Sequence, residues 1–487
     1  MGDPLVKRAL ALTISAVVLA ACSDSAPMAP EATPSPDAQL SRSYGSVTRT
    51  AYVTNNNDAG AGSFRAAVAL ANGNPSVRTI EFSSRVRTIN LASTVTFSGP
   101  QDLEIDGDDA VLDAAGTGGV GLLVTGGGDF TLKSLTVRNA PAEGVTVEVP
   151  AASTGTIRVV FKDLKITGNK GHGILVNDQV DPSTQDEVQP NGEGSAASLD
   201  VTVIDSRFFR NGYSVSDRDG MRVNEGGDGD LRFTVRDVTS EENAADGIEL
   251  DERGSGDVRL DVRELRIARN GPFDPADLDD GFDIDEYNDG SILGHVVNSE
   301  AIDNYEEGFD FNENNAGDFR VDMLNVKAIG NGEEGIDYEE DDDFAGGGEL
   351  VTTMIGIVAN NNGGDGGLKI REKGEGNLVA NVTGIVANDN LASGISIRED
   401  AVGNLTSNIN LSRTLNNAEH GIDFDENSDG DLTAVVRLSV SSGNAEFGVR
   451  ADQGGSGVGT LELRNVQLVG NTGGTVDDGD VTVTTLP

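Results

Sequence analysis

The sequence predicts an all-β protein that folds as a single-stranded right-handed parallel β-helix of about twelve coils, with a short N-terminal capping helix. The first observation behind this prediction is a motif of Asn, three residues, Gly and an apolar residue that recurs about every 27 residues. A fixed period of this length is typical of stacked repeats, in which each unit buries its apolar face against its neighbours. The motif is clearest at Asn243, Asn304, Asn331, Asn390, Asn417 and Asn444, each four residues before a Gly.

The second observation is the alternation of apolar and polar residues between the motifs, which is typical of strands with one buried face. In one coil Val258, Leu260 and Val262 alternate with polar residues, and Leu265 and Ile267 continue the pattern. Together with the apolar segment after the repeat Gly, this indicates about three strands per coil, separated by turns of Gly, Asp and Asn. A β-propeller would need longer units with aromatic signatures, and a leucine-rich repeat would need a shorter unit, so neither class fits.

The N-terminus resembles a lipoprotein signal. Lys7 and Arg8 precede an apolar run over residues 9–21, which is too short for a membrane-spanning helix. Leu19-Ala20-Ala21-Cys22 resembles the lipobox of bacterial lipoproteins, and Cys22 is the only cysteine. The resemblance implies cleavage before Cys22, lipidation of its thiol, and a secreted protein anchored to the bacterial envelope, at the outer membrane or the cell surface. A plain secretory signal peptide is the alternative interpretation.

Residues 52–68 contain Thr54-Asn55-Asn56-Asn57-Asp58 followed by a Gly-rich turn, and they resemble the segment that opens many bacterial surface proteins of the right-handed parallel β-helix class. Ser63 is expected to cap a helix that ends near Gly73 and covers the open end of the stack. The predicted organisation is a signal peptide at 1–21, a lipidated Cys and flexible Pro/Ser/Ala tether at 22–49, an N-terminal cap at 50–82 and the β-helix at 83–487.

Two further features of the repeat concern its interior and its loops. The repeat Asn is expected to be structural, because its side-chain amide can hydrogen-bond to the Asn of the adjacent coil. Insertions at 178–197, 212–219 and 271–280 keep the phase of the repeat, so we expect them to project from single coils as loops.

The chain of 487 residues carries a formal net charge of -46, which excludes a general nucleic-acid binder. Stacking places equivalent side chains of successive coils about 4.8 Å apart, so acidic columns should attract divalent cations, calcium above all. One outward column lies two residues after the repeat Gly and a second lies four residues after it; a third, in the adjoining turn, is almost entirely Glu. The candidate calcium ligands are Asp283, Asp285, Asp310, Asp337, Glu339, Asp423 and Asp425. The alternative is that these side chains extend into water and are screened by salt.

Lys369, Arg371 and Arg398 interrupt the acidic columns, and a simple ladder of salt bridges would account for them. The coils also resemble the pectate-lyase superfamily. That resemblance implies that Asp283, Asp310 and Asp337 would hold calcium while Arg371 or Lys369, with Arg398 beside them, would remove a proton from a uronate. The surrounding acids oppose the lowered pKa that such a base requires.

Other chemistry has little support in the sequence. The chain has no Trp and six Tyr, few of them in the outward columns, whereas glycan clefts commonly offer aromatic surfaces. His172, His295 and His420 occur singly, and the many acidic pairs do not single out a hydrolase pair. The sequence therefore predicts a non-enzymatic surface protein with a structural, adhesive or glycan-binding role, whose partners are calcium and polysaccharide or a neighbouring cell surface. A calcium-dependent polyuronate lyase is the alternative.

Overall fold

A computed structural model describes residues 49–178, 194–214, 217–275, 278–341 and 347–487. The predicted signal peptide, Cys22 and nearly all of the tether lie outside the described residues, as does most of the insertion at 178–197. A search of the described residues found no helix with the length and apolar character needed to cross a membrane.

The described residues form a solenoid of about fifteen turns with two long parallel sheets, one of 24 strands and one of 14 strands. A typical coil places Phe319–Leu324 and Lys327–Ile329 in the larger sheet and Ile336–Glu340 in the smaller sheet. The parallel β-helix predicted from the repeat is thus confirmed, with more coils than the predicted twelve. The difference arises early in the chain, where short strands such as Val95–Phe97 and Leu122–Val124 precede the regular motif.

The strands of the smaller sheet are Val95–Phe97, Leu122–Val124, Val145–Glu148, Ile174–Asp178, Met221–Glu225, Ile248–Glu252, Phe282–Glu286, Phe309–Glu313, Ile336–Glu340, Gly366–Glu372, Ser393–Glu399, Ile422–Glu426, Phe447–Gln453 and Gly474–Asp477. The strands of the larger sheet are Arg49–Val53, Val77–Phe82, Thr88–Asn90, Leu103–Asp113, Phe130–Arg138, Thr154–Thr167, Ala196–Phe209, Leu231–Glu241, Val258–Ala268, Ile292–Val297, Glu300–Ile302, Phe319–Leu324, Lys327–Ile329, Leu350–Ile355, Val358–Asn360, Leu378–Thr383, Val386–Asn388, Leu405–Asn410, Arg413–Leu415, Leu432–Arg437, Val440–Ser442, Gly459–Arg464, Gln467–Val469 and Val481–Leu486.

Apolar side chains from both sheets fill the interior. Aromatic rings pack against one another in the middle coils: Phe282 and Phe311 meet edge to face with centroids 5.2 Å apart, and Phe311 and Tyr338 are stacked with centroids 5.4 Å apart. Burial of each such side chain contributes roughly 1.5 to 3 kcal/mol. Because the coils share this core, each coil is stabilised by its neighbours rather than by itself.

The repeat asparagines form a buried row that we call the asparagine ladder. The Nδ2 atom of Asn243 donates to the Oδ1 atom of Asn270 at 3.0 Å, and Asn390 donates to Asn417 at the same distance. The structural role predicted for the repeat Asn is confirmed, because these amides satisfy one another where the chain turns toward the smaller sheet.

The described residues include one α-helix, Phe64–Gly73. The hydroxyl of Ser63 accepts a hydrogen bond from the N–H of Ala66, as predicted for the N-cap, and the helix buries Phe64, Ala67, Val68 and Ala71. The helix packs against the strands that open the two sheets. Its function as a cover for the first coil stays a prediction.

Candidate functional site

The outer face of the smaller sheet carries the predicted acidic columns in register. Glu249 pairs with Asp283, Asp283 with Asp310, and Asp310 with Asp337 on adjacent strands. The second column runs in the same register, through Asp251, Asp285, Asn312 and Glu339. The vertical alignment predicted from the repeat is therefore confirmed.

A further acidic column lies immediately before the repeat Gly, and the sequence analysis missed it. Its members are Asp219, Asp246, Asp280, Glu307 and Glu334. The Oδ1 atom of Asp219 accepts the N–H of Asp246 at 3.1 Å, and that of Asp280 accepts the N–H of Glu307 at 2.7 Å. In the sequence, a carboxylate stands directly before the repeat Gly in five coils. This position precedes the strand, so it lies outside the alternation of apolar and polar strand residues.

These columns meet in a group that we call the acidic trough: Asp246, Glu249, Asp280, Asp283, Glu307 and Asp310. One carboxylate oxygen from each of Asp280, Asp283 and Asp310 lies within 4.8 Å of the other two. The same holds for Asp246, Glu249 and Asp283, so the two groups share Asp283. The trough therefore offers several closely spaced oxygen donors on successive coils.

Cationic side chains neutralise the two ends of the trough. At one end the guanidinium of Arg222 lies 2.5 Å from Glu249 and 2.8 Å from Asp251. At the other end the ammonium of Lys369 lies 2.7 Å from both Asp337 and Glu339. Across the part of the chain that the structure describes, no Lys, Arg or His comes within 4.0 Å of the carboxylates of Asp246, Asp280, Asp283, Glu307 or Asp310.

The middle of the trough is buried at Asp280 and partly buried at Asp283, Glu307 and Asp310, and no cationic side chain of the described residues pairs with it. Burial, reinforced by neighbouring carboxylates, raises the pKa of Asp280, Asp283 and Asp310 well above its ordinary value, and burial raises the pKa of Glu307 to about 8. The Oδ1 atom of Asp310 is buried and has no hydrogen-bond partner among the described residues. Carboxylates in such an environment must retain a proton or bind a cation.

The other predicted metal ligands have partners of their own. Asp285 lies beside the trough and accepts a hydrogen bond from the hydroxyl of Tyr287 at 2.7 Å. The carboxylates of Asp337 and Glu339 both form ion pairs with the ammonium of Lys369. Asp423 and Asp425 lie three coils beyond Asp337, where Arg450 pairs with both and Arg398 pairs with Asp425. The structure thus brings Asp283 and Asp310 together and places Asp423 and Asp425 in a separate ion-pair network.

The three predicted basic residues line a polar cleft of about 260 Å³, the basic cleft, whose walls are Asp365, Lys369, Arg371, Ser393, Ser396, Arg398, Glu419 and Asp423. Burial by itself would lower the pKa of the Lys369 ammonium. The neighbouring carboxylates of Asp337 and Glu339 have a larger effect in the opposite direction, so the pKa is raised. The pKa of Arg371 is also raised, since Asp400 and Glu339 outweigh its partial burial. Both side chains therefore remain protonated at neutral pH.

The third acidic column differs from its predicted place in a turn. Its glutamates lie at the ends of the strands and their side chains are fully buried; this glutamate column comprises Glu225, Glu252, Glu286, Glu313, Glu340, Glu372, Glu399 and Glu426. Turn N–H groups donate to one oxygen of several members, as Gly254 does to Glu252 at 3.0 Å. Burial raises the pKa along the column, to about 7 for Glu399 and about 12 for Glu286. Protonated carboxyls can donate to the next member, which explains how this column tolerates burial.

No protein-family model matches the chain, and no characterised protein matches it in sequence. Among solved structures, pectate lyase Pel9A is 19% identical, over 64% of this chain and 77% of the lyase, with a TM-score of 0.42. The A-module of the Azotobacter vinelandii mannuronan C-5 epimerase AlgE6 is 14% identical, over 87% of this chain and 93% of the module, with a TM-score of 0.40. The catalytic domain of a GH87 α-1,3-glucanase is 12% identical, over 94% and 70%, with a TM-score of 0.33. At such values these likenesses do not assign a function to this chain.

Proposed function

We propose that this protein is a calcium-binding and glycan-binding β-solenoid of the bacterial cell surface, anchored through Cys22, with no catalytic activity of its own. The observation that carries the proposal is the acidic trough, where five of the six buried or partly buried carboxylates have no cationic partner among the described residues. A bound divalent cation would supply the missing positive charge and the missing partner of Asp310.

Calcium suits this donor set better than other metals. The trough offers carboxylate oxygens only, which excludes the nitrogen and sulfur ligands that zinc prefers. Calcium accepts about six to eight oxygen ligands in irregular geometry, whereas magnesium demands a tight octahedron. Because the raised pKa values mean that protons compete for the same oxygens, calcium binding should strengthen as the pH rises.

The glycan-binding part of the proposal rests on the position of the basic cleft. Lys369 belongs both to the cleft and to the ion pairs that close the trough, so the two features adjoin on one face of the sheet. Arg371 and Arg398 can bind the carboxylate of an acidic sugar, and Ser393 and Ser396 can bind its hydroxyls. A calcium ion in the trough would supply a second contact for an anionic chain lying along the sheet.

Calorimetric titration of calcium tests the trough directly. The double variant Asp283→Asn and Asp310→Asn removes two charges without changing shape, and we expect it to weaken calcium binding by at least about tenfold. Asp163→Asn is the matched control, because Asp163 is exposed and far from the trough in sequence. Equal affinities of the double variant and the control would contradict the proposal.

A polyuronate lyase is the second candidate, and the basic cleft beside the trough favours it. Arg371 or Lys369 would then remove the proton, as the sequence analysis anticipated. The raised pKa of both groups makes them poor bases at neutral pH, which is why binding is preferred. Unsaturated uronide products from polyuronates with calcium, absent in Arg371→Ala, would establish the lyase instead.

A further inference from the structure

A second cleft opens beside the acidic trough, at the turns that lead into the smaller sheet. Its volume is about 520 Å³, and we call it the aromatic cleft; its walls include Tyr213, Glu242, Arg269, Pro272, Asp303 and Tyr305. Tyr305 stands two residues before Glu307 of the trough. The cleft has the size of a small-molecule site, and it is separate from the trough and the basic cleft on which the proposed function depends.

Exposed aromatic rings are concentrated at this one place. Four Phe or Tyr side chains of the described residues are largely exposed, and Tyr213 (43% exposed), Phe273 (38%) and Tyr305 (46%) are three of them. The fourth, Tyr52, lies on the first strand. Three partly exposed rings within four successive coils give up burial energy, which indicates that they serve a ligand rather than the core.

The ring of Tyr213 and the backbone beside Phe273 and Tyr305 are held in place before any ligand arrives. The hydroxyl of Tyr213 donates to the carbonyl of Glu242 at 3.0 Å, and its ring meets Phe273 edge to face with centroids 6.1 Å apart. The N–H of Tyr305 donates to the carbonyl of Asn270 at 3.0 Å, and the N–H of Phe273 donates to the carbonyl of Ala244 at 3.1 Å. A surface fixed in this way loses little entropy when it binds.

Two of the three rings come from insertions. Tyr213 lies in the insertion at 212–219 and Phe273 in that at 271–280, whereas Tyr305 follows the regular repeat. The added residues therefore build one side of the cleft while the repeat supplies the other.

The lining fits a sugar ring. The C–H groups on one face of a pyranose carry partial positive charge and pack on the negative face of an aromatic ring, while its hydroxyls need planar polar partners at the rim. Tyr213 and Tyr305 offer the faces, and Glu242, Arg269 and Asp303 offer the polar groups. The cleft has the dimensions of a small-molecule site rather than of a protein interface, which buries about 800 Å² per partner.

We propose that the aromatic cleft is a carbohydrate subsite that stacks a pyranose ring of a polysaccharide against Tyr213 and Tyr305. This inference deepens the glycan-binding part of the proposed function. It adds recognition of the sugar ring itself, which does not require a cation. A chain held here would continue along the sheet over the acidic trough.

Binding of defined hexasaccharides of galacturonate, mannuronate and α-1,3-linked glucose tests the subsite by calorimetry and by tyrosine fluorescence. The protein has no Trp, so its emission reports on its six Tyr alone. We expect Tyr213→Ala and Tyr305→Ala each to weaken binding by about tenfold, and Tyr305→Phe to retain it because the ring remains. Tyr52→Ala is the control for loss of an exposed ring, and calcium affinity of all variants should equal that of the wild type.

The results of these experiments distinguish sugar binding at the aromatic cleft from calcium binding in the trough. Loss of calcium binding in the Asp283→Asn and Asp310→Asn protein, with tyrosine-dependent sugar binding retained, supports the subsite even if the calcium part of the proposal fails. Sugar binding that depends on calcium but not on Tyr213 or Tyr305 overturns the subsite and leaves the trough standing. Failure of every hexasaccharide to bind the wild-type protein overturns it as well.

Discussion

Asn331 shows how much a single residue of the asparagine ladder contributes. Its Nδ2 atom donates to the Oδ1 atom of Asn362 at 3.0 Å, and its own Oδ1 atom accepts from Asn304 at 3.0 Å and from the backbone N–H of Asn304 at 3.1 Å. Removal of this side chain leaves the backbone and side-chain donors of Asn304 buried without an acceptor, while the Oδ1 atom of Asn362 keeps only the bond from the backbone N–H of Asn331.

We expect Asn331→Ala to lower the free energy of unfolding by about 2 to 4 kcal/mol, because several buried hydrogen bonds are lost at once. Thermal unfolding followed by circular dichroism measures the effect. Asn404→Ala is the matched control, since the amide of Asn404 donates to Asn377 at 2.8 Å in an exposed pair where water can replace the bond. A similar loss of stability in both variants would show that burial of the ladder is unimportant.

Lys369 illustrates how a residue of the predicted lyase site is used within the fold. Its ammonium contacts Asp337 and Glu339 at 2.7 Å, and these pairs lower the pKa of Glu339 to about 2 despite the burial of that carboxyl. The salt-bridge ladder left open by the sequence is thus present at this point. Whether Lys369, Arg371 and Arg398 also contact a substrate stays a prediction.

At the scale of the element, the glutamate column makes the end of each strand in the smaller sheet sensitive to pH. Glu372 is fully buried and lies opposite Glu340 and Glu399 on the adjacent strands, and neither of its carboxylate oxygens has a hydrogen-bond partner among the described residues. Burial and the neighbouring carboxyl of Glu399 raise its pKa to about 9. A group whose pKa is raised on folding stabilises the fold below its unfolded pKa, and that stability is lost as the pH rises through the folded value.

The melting temperature should therefore fall from about pH 4.5, the ordinary pKa of a Glu, to about pH 9, the folded pKa of Glu372. Glu372→Gln keeps the shape and a hydrogen-bond donor but cannot ionise, so its melting temperature should fall less over the same range. Glu81→Gln, at an exposed position of the larger sheet, should behave as the wild type. An identical pH profile for Glu372→Gln and the wild type would show that Glu372 is ionised throughout.

At the scale of the whole molecule, a formal net charge of -46 opposes compactness through self-repulsion. Sodium reduces this repulsion by screening alone, whereas calcium in the trough would also bind the folded state specifically. Specific binding stabilises by about 2.7 kcal/mol per site when the free ligand exceeds the Kd by about a hundredfold.

Calcium should consequently raise the melting temperature more than sodium does at matched ionic strength. The Asp283→Asn and Asp310→Asn protein should lose most of this excess, while Asp163→Asn should keep it. Equal shifts from the two salts in the wild-type protein would reduce the role of calcium to screening.

The amino-acid sequence suffices to predict the solenoid, the asparagine ladder and the vertical register of the acidic columns. These features follow from a period of fixed length, because a strict repeat forces equivalent side chains such as Asp283 and Asp310 onto adjacent strands. The helix after Ser63 was also predictable, since its cap and its apolar face are local properties of the chain.

Only the folded arrangement shows which carboxylates meet, which are neutralised and which are buried. The carboxylate of Asp280 lies close to those of Asp283 and Asp310. Asp337 does not belong to the trough, because it pairs with Lys369. The side chains of the glutamate column are buried. Tyr213 and Phe273 likewise meet only through two insertions of different sequence. The physical reason is that periodicity fixes the spacing along a column, whereas contacts between columns and between loops depend on turn geometry, which the period does not encode.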